Sequence, residues 1–364
     1  MTDDAADIDR KRIERVYERI DPKEFDAILF FDMNNIRYLT GFTGSDGVLL
    51  LQPDRGMLLV DGRYVTQAAE QSPHCDVVQY RDKVSGIAAA LAERGAGRVG
   101  FEAFALTVEL YEKIRERIRT TRLAPLDGEL SCLRSRKDAG EASLLRRAVD
   151  IATEALTDVL PLLRPGRTER EIALELDYRM RALGSEENSF PTIVASGPNA
   201  ALPHARPGDR KLAPDDPVII DFGAVYRGYH SDETCTLVVG RPDAEFRQVY
   251  DIVKEAHDRA IAAVRTGVSG REIDGIARRH IEEQGYGPQF SHGTGHGVGL
   301  DVHEDPRLSP LSDQVLAADM VVTVEPGIYL PGRWGVRIED MVLVGEDGCE
   351  VLTRMPKELK IIDL

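Results

Sequence analysis

A two-domain protein of the α/β (α+β) class is the fold this sequence predicts, on three observations. Its 364 residues are enough for two hydrophobic cores or one large one. Short strand-like and helix-like runs alternate through the first third, the rhythm of a mixed α/β unit of about 130 residues. From Ser135 the pattern changes to longer amphipathic helices with strand-like runs between and after them. The boundary is placed near residue 133, giving domains at 1–133 and 134–364.

In the first domain, Ala27 to Phe31, Gly47 to Leu51, Met57 to Val60, Asp76 to Tyr80 and Arg98 to Glu102 read as short strands. Helical spacing is expected at Ser85 to Arg94 and Leu106 to Arg119. The glycine-rich run from Gly41 to Gly47 lacks the lysine and spacing of a phosphate loop and reads as a turn between strands. In the second domain, Leu145, Val149, Ala152, Leu156 and Val159 fall on one face of a helix over Glu141 to Leu163. Pro165 and Gly166 stop it, and Thr168 with Glu171 forms a capping box for a second helix ending near Leu183. Two more helices are expected at Ala244 to Arg265 and Ser269 to Gln284. No internal repeat or low-complexity stretch is evident.

Composition excludes several functions. Hydrophobic content of 42% and charged content of 30% fit a globular protein. The charged first twenty residues do not resemble a signal peptide, and no run approaches the roughly 18 apolar residues of a membrane span. A cytoplasmic protein with no membrane partner is expected. Net charge is −16, from 62 acidic and 46 basic residues, which argues against a whole-surface basic field for nucleic acid. Only nine of the basic residues are lysine and 37 are arginine. Acidic excess with scarce lysine suits a halophilic host; high-GC codon bias would also enrich arginine. Cys75, Cys132, Cys235 and Cys349 form no C-x-x-C pair and are expected to be reduced and partly buried.

The chemistry is concentrated in the last 150 residues or so, where Asp221, Asp232, His296, Glu325 and Glu339 occur in order. Four carboxylates and one imidazole, with no thiolate, make a hard, oxygen-rich donor set for two divalent cations rather than a structural zinc. Two cations about 3.5–4 Å apart can activate a shared water and hold a carbonyl beside it. Val218 to Ala224 reads as a strand and Tyr229 to Val239 as its return. A hairpin centred on Tyr226 and Arg227 would set Asp221 opposite Asp232, and acids that close repel unless a cation lies between them. Read alone, the pair could equally be a strand end and a turn cap. Residues 291–304 hold three of the eight histidines, with Gly293, Gly295, Gly297 and Gly299 alternating so that the backbone can run close to a ligand. Glu325 ends the run Val321 to Val324 before Pro326-Gly327. Glu339 lies within the apolar run Gly335 to Leu343, where a carboxylate is costly to bury unless paired or metal-bound.

Asp221-Phe222-Gly223, His292-Gly-Thr-Gly-His296 through His303-Glu304, Thr323-Val-Glu325-Pro326-Gly327 and Val336-Arg337-Ile338-Glu339-Asp340 resemble the pita-bread metallopeptidases of family M24. Asn35-Ile36-Arg37-Tyr38-Leu39-Thr40-Gly41-Phe42 resembles the creatinase/prolidase N-terminal domain, so the resemblance spans nearly the whole chain. It implies a creatinase/prolidase-like first domain and a pita-bread catalytic domain. It further implies that Asp221 binds one metal, His296 and Glu325 the other, and that Asp232 and Glu339 bridge both. The family's metals are manganese, cobalt, zinc or iron, and carboxylate dominance favours manganese. A metal-bridging hydroxide would be the nucleophile and Glu325 its proton shuttle. His204 and His303 would lie near the scissile bond and His292 on the substrate side. Arg307 would pair with a dipeptide carboxylate, and Arg337 would orient the ligands. Tyr229, His230, His257 and His280 are read as structural. The resemblance implies a homodimer and hydrolysis of Xaa-Pro dipeptides. Aminopeptidase P activity on longer peptides is the closest alternative. Further off lie metal-free C–N hydrolysis of the creatinase type, a small-amide hydrolase and a non-catalytic peptide-binding module.

Overall fold

The computed structural model describes residues 2–126 and 128–364, which divide into two compact units, one ending at Arg134 and one spanning Ser135–Leu364. The first unit has the strands β1 (Ala27–Phe30), β2 (Val48–Gln52), β3 (Arg55–Val60), β4 (Cys75–Gln79), β5 (Arg98–Glu102) and β6 (Arg122–Leu126). They form one mixed sheet in the order β4-β3-β2-β1-β5-β6. Its helices are α1 (Thr2–Arg19), α2 (Met33–Thr40), α3 (Val65–Gln71), α4 (Lys83–Glu93), α5 (Val108–Arg117) and the short α6 (Gly128–Ser131). The glycine-rich run beginning at Gly41 is therefore not a turn between strands. Asp32 caps the start of α2 on the Asn35 N–H, Gly41 ends the helix at φ 74°, and the chain then leads into β2.

The second unit pairs each of its larger sheets with two helices. Helices α7 (Ala139–Val159) and α8 (Glu169–Ala182) open with capping boxes at Asp138/Glu141 and Thr168/Glu171. They cover a sheet of β7 (Ile193–Ser196), β8 (Asp216–Phe222), β11 (Glu233–Val239) and β19 (Lys360–Ile362), in the order β19-β11-β8-β7. Between β8 and β11 lies the small pair β9 (Val225–Tyr226) and β10 (Tyr229–His230). Helices α9 (Ala244–Ala263) and α10 (Gly270–Glu283, capped by Ser269) cover the other large sheet. That sheet contains β12 (Gly295–Gly297), β13 (Glu304–Leu308), β14 (Val321–Val324), β17 (Asp340–Val344) and β18 (Cys349–Val351), in the order β13-β12-β14-β17-β18. A separate ribbon pairs β15 (Gly327–Leu330) with β16 (Trp334–Arg337).

Strand alternation positions the site. Val218, Ile220 and Phe222 of β8 pack with Ile151, Leu156 and Leu176 of α7 and α8. Ile219 and Asp221 take the opposite phase. On β11, Cys235, Leu237 and Val239 join the same helix-side core, which turns Thr234 and Thr236 the other way. Val322, Val324, Val342 and Val344 of β14 and β17 pack under α9 and α10, leaving Thr323 and Met341 on the far face. Each fully buried aliphatic side chain contributes about 1.5–3 kcal/mol, so the helix-side faces hold the framework while the opposite faces are free to carry acids. Among the described residues, no helix is long and apolar enough to cross a membrane. Cys235 is buried, and Cys75, Cys132 and Cys349 are half-buried.

Candidate metal centre

The register of the β8–β11 hairpin differs from the expected one. Arg227 and Gly228 occupy the turn with φ 48° and 75°, the two left-handed positions of a tight hairpin loop. Tyr226 therefore pairs with Tyr229, and Asp221 faces Thr234 rather than Asp232. The slip of two residues keeps the phase, so Asp232 lies diagonally from Asp221 and on the same face. Around Gly223 the strands approach so closely that a Cβ there would meet the Ser231 carbonyl oxygen at 1.9 Å. Asp232 sits in the resulting break, immediately before β11. Glu339 occupies a second break: the run read as one strand divides at Ile338–Glu339, with β16 before it and β17 after it in different sheets.

The glycines around His296 make room for the sheet, and Gly293 and Gly295 also line the cavity described below. A Cβ on Gly295 would meet the Thr323 carbonyl oxygen at 2.0 Å, and one on Gly297 the Asp305 carbonyl oxygen at 2.4 Å. Glycine lets β12 lie tightly between β13 and β14, and that packing fixes where His296 points. The His296 Nδ1–H donates to the Gly297 carbonyl at 3.0 Å. That leaves Nε2 facing Asp232 (3.6 Å) and Glu325 (3.3 Å).

One cavity of about 540 Å³ is lined by Asp221, Asp232, His296, Glu325 and Glu339, and also by His204, His292, His303, Arg307 and Arg337. Asp232, His296 and Glu339 present ligand atoms all within 4.8 Å of one another. Glu339 is held by the Thr234 hydroxyl at 2.7 Å, and Glu325 by the Thr323 hydroxyl at 3.3 Å. Arg337 is buried and forks across the site. It donates to Asp221 Oδ2 at 2.6 Å, to the Tyr329 hydroxyl at 2.8 Å, to the Pro203 carbonyl at 3.1 Å and to Thr234 Oγ1 at 3.2 Å. Tyr329 in turn meets His292 Nε2 at 2.9 Å, while His292 Nδ1–H donates to the Gly293 carbonyl at 2.8 Å. Arg307 pairs across the β12–β13 ladder with His296 and is exposed, while the His303 ring is part-covered, its centroid 4.3 Å from that of His296.

Burial and mutual repulsion dominate the electrostatics. Asp232 is held well above the usual carboxylate range by burial and by the charges of Glu339, Asp221 and Glu325. Glu339 is raised likewise by burial, then by Glu325 and Asp221. Burial also raises Asp221, with Arg337 opposing. Glu325 goes the other way: burial resists its charge, but the facing His296 brings it down to about 2. Burial, with His296 and Arg307 nearby, lowers His303 to about 4, and burial lowers His292.

A cation fits this donor set. Two buried acids, Asp232 and Glu339, and two half-buried ones, Asp221 and Glu325, face one arginine and one imidazole, and Asp221 Oδ1 is buried with no hydrogen-bond partner among the described residues. Each of these is relieved by a hard divalent ion at the convergence point. Three residues that hold the site were missed in the sequence. Thr234 is an ordinary strand threonine, Thr323 stood in the Thr323-Val-Glu325 motif without being read as a support, and Asp274 works from α10. Asp274 takes the Thr294 N–H at 3.1 Å and the Thr294 hydroxyl at 2.9 Å, while its ion-pair partner Arg278 donates to the His292 carbonyl at 2.7 Å. Tyr329 could have been found, because alternation along Gly327-Ile328-Tyr329 sets it opposite in phase to Ile328, which packs in the helix-side core.

Known proteins share this fold, and the chain belongs to metallopeptidase family M24, whose family pattern matches residues 143–346. The creatinase/prolidase N-terminal domain matches residues 12–136. A Xaa-Pro dipeptidase of Pyrococcus furiosus is 36% identical over 351 residues, covering 96% of this chain and 99% of that protein. The solved structure of a Xaa-Pro dipeptidase from Bacillus anthracis matches with a TM-score of 0.94 and 41% identity, over 97% of this chain and 99% of that one. An X-Pro aminopeptidase structure from Thermotoga maritima matches with a TM-score of 0.89 and 36% identity, over 96% and 99%. The chain is a two-domain metallopeptidase: a creatinase-type first domain followed by a pita-bread unit.

Proposed function

We propose that this protein hydrolyses the peptide bond preceding proline, with Xaa-Pro dipeptides as its substrates. The observation that carries this reading is the charge-unbalanced cluster Asp221, Asp232, His296, Glu325 and Glu339 at the wall of one cavity, in a chain whose relatives include Xaa-Pro dipeptidases. These five residues would hold two divalent cations, with Asp232 and Glu339 bridging them and manganese the first choice for so oxygen-rich a set. When bound, such ions lower the pKa of a shared water and polarise the scissile carbonyl.

The chain's own groups divide the remaining work. Glu325, at the cavity wall beside His296, can accept a proton from the attacking water and pass it to the proline nitrogen as that bond breaks. His303 is neutral at pH 7 and can donate a hydrogen bond to the oxyanion, a role shared with His204 on the same cavity wall. His292 is locked by Tyr329 and the Gly293 carbonyl, so its ring borders the substrate in one orientation. The Arg307 guanidinium at the cavity wall suits a terminal carboxylate, which selects short peptides. Arg337 bears on substrate through Asp221 and Tyr329, which it orients. Phe190, Pro191 and Ile193 supply an apolar wall suited to the pyrrolidine ring. A homodimer in the cytoplasm completes the reading, and the net charge of −16 supports adaptation to high salt.

A panel of Ala-Pro, Ala-Ala and Ala-Pro-Ala, assayed with chelated protein reloaded with manganese, cobalt or zinc, tests this. Ala-Pro is expected to turn over fastest, most of all with manganese. Preference for Ala-Pro-Ala would favour the second reading, aminopeptidase action on longer peptides, which the similarity to the Thermotoga maritima structure supports.

A further inference from the structure

Each of the two proposed bridging residues is followed directly by another acid: Asp232 by Glu233, and Glu339 by Asp340. Successive side chains of an extended chain point to opposite sides, so a ligand facing the cavity sends its neighbour behind it. Glu233 shares the phase of Cys235, Leu237 and Val239, and Asp340 that of Val342 and Val344, all of which lie in the helix-side cores. Both acids are buried, at 1% and 5% exposure. Two carboxylates in such a place are costly without a cation. One side chain supplies it to both.

That side chain is Lys357, itself 8% exposed. Its ammonium pairs with Glu233 Oε1 and lies 3.2 Å from Asp340 Oδ1. Further contacts brace the arrangement. The Met355 N–H donates to Glu233 Oε1 at 3.1 Å, the Thr353 hydroxyl donates to Asp340 Oδ1, and His257 of α9 lies 3.1 Å from Asp340 Oδ2. The Tyr250 hydroxyl, also on α9, donates to the Lys357 carbonyl at 2.9 Å. The ligands themselves have less support, because Asp232 and Glu339 both fall in breaks outside the strand ladders.

We propose that Lys357 is a positioning residue for the metal centre: by tying Glu233 to Asp340 behind the cavity, it fixes the separation of Asp232 and Glu339 in front. This rests on the reading of those two residues as bridging ligands. It makes a prediction opposite in sign to simple electrostatics. Removing Lys357 adds net negative charge near the site, which by Coulomb attraction alone would tighten a divalent cation. Loss of positioning loosens it.

The test is titration of chelated full-length protein with manganese chloride by calorimetry, with bound metal counted by elemental analysis. Lys357→Met is expected to bind manganese about 10–100-fold more weakly than the unmodified protein, with Lys357→Arg recovering part of the loss. Equal or tighter binding by Lys357→Met would overturn the proposal. If that variant does not fold, the charge-balanced double variant Lys357→Met/Glu233→Gln carries the same test: weaker binding supports positioning, and unchanged binding overturns it. An unmodified protein that binds no manganese would remove the metal-centre reading itself, a result distinct from either.

Discussion

Two buried charge clusters lie back to back in the second unit, and they are built on opposite principles. Behind the cavity, Glu233 and Asp340 face Lys357 and His257. Burial resists protonation of His257, yet Asp258 and Asp340 lift its pKa above the ordinary value, so two acids meet two bases. In front, Asp221, Asp232, Glu325 and Glu339 face Arg337 and one imidazole, and two of the acids are pushed well above their usual range. The rear cluster brings its own positive charge, although Glu233 Oε2 and His257 Nε2 are buried without a hydrogen-bond partner among the described residues. The front cluster is open to a cavity and short of positive charge. Buried ionisable groups do not by themselves mark a functional site; buried charge left unbalanced at a cavity wall does.

The contrast is broken most completely by neutralising a front acid. Asp232→Asn is expected to lower kcat/KM for Ala-Pro by at least about a thousand-fold and to reduce bound manganese. The chelated variant should nevertheless melt at or above the temperature of the chelated parent, because a repelling charge is gone; calorimetric scans check both halves. Neutralising the rear cation has the reverse signature. Lys357→Met in chelated protein is expected to cost about 3–5 kcal/mol of unfolding free energy in urea, since it strands buried acids without a partner. A drop under 1 kcal/mol would show that the rear cluster is not held by its own ion pairs.

A smaller effect is expected at the cavity wall. Arg307→Ala should raise KM for Ala-Pro about 10–100-fold with kcat little changed, the loss of one charge-assisted contact. Ala-Pro-amide, which lacks the carboxylate, should be indifferent to the substitution, and equal losses on both substrates would remove the clamp. The smallest effect is a pH dependence. Asp232 and Glu339 have folded pKa values above their unfolded ones, so the unfolded chain releases those protons first. Chelated protein should therefore lose stability as pH rises from roughly 4, the unfolded carboxylate value, towards those raised values. Glu325 has the opposite sign: its contribution is present above the unfolded value and lost as pH falls through about 2. Manganese should abolish the upper slope, and melting curves with and without metal measure it.

Patterns local to a few residues made much of this molecule legible from its sequence. The capping box at Thr168/Glu171 and the cap Ser269 marked two helix starts, and the four acids and His296 stood in recognisable surroundings. Helices α2 and α3 escaped notice because eight and seven residues carry too little apolar periodicity. Strand β6 contains Pro125, which argues against a central strand; it lies at the sheet edge, where proline is tolerated. The hairpin register was misplaced because Tyr226-Arg227 and Arg227-Gly228 differ by one step, and the left-handed pair needs the glycine second. Lys357 left no trace at all, since its partner Glu233 is 124 residues away. Contacts of that range are made by the fold, not by a motif.

Counting manganese per chain after reconstitution, on protein assayed in parallel with Ala-Pro, tests the central claim most directly. Two ions per chain, with hydrolysis abolished by chelation and restored by manganese, is the predicted result. A chain that takes up no metal, or that continues to cleave Ala-Pro after exhaustive chelation, would contradict it.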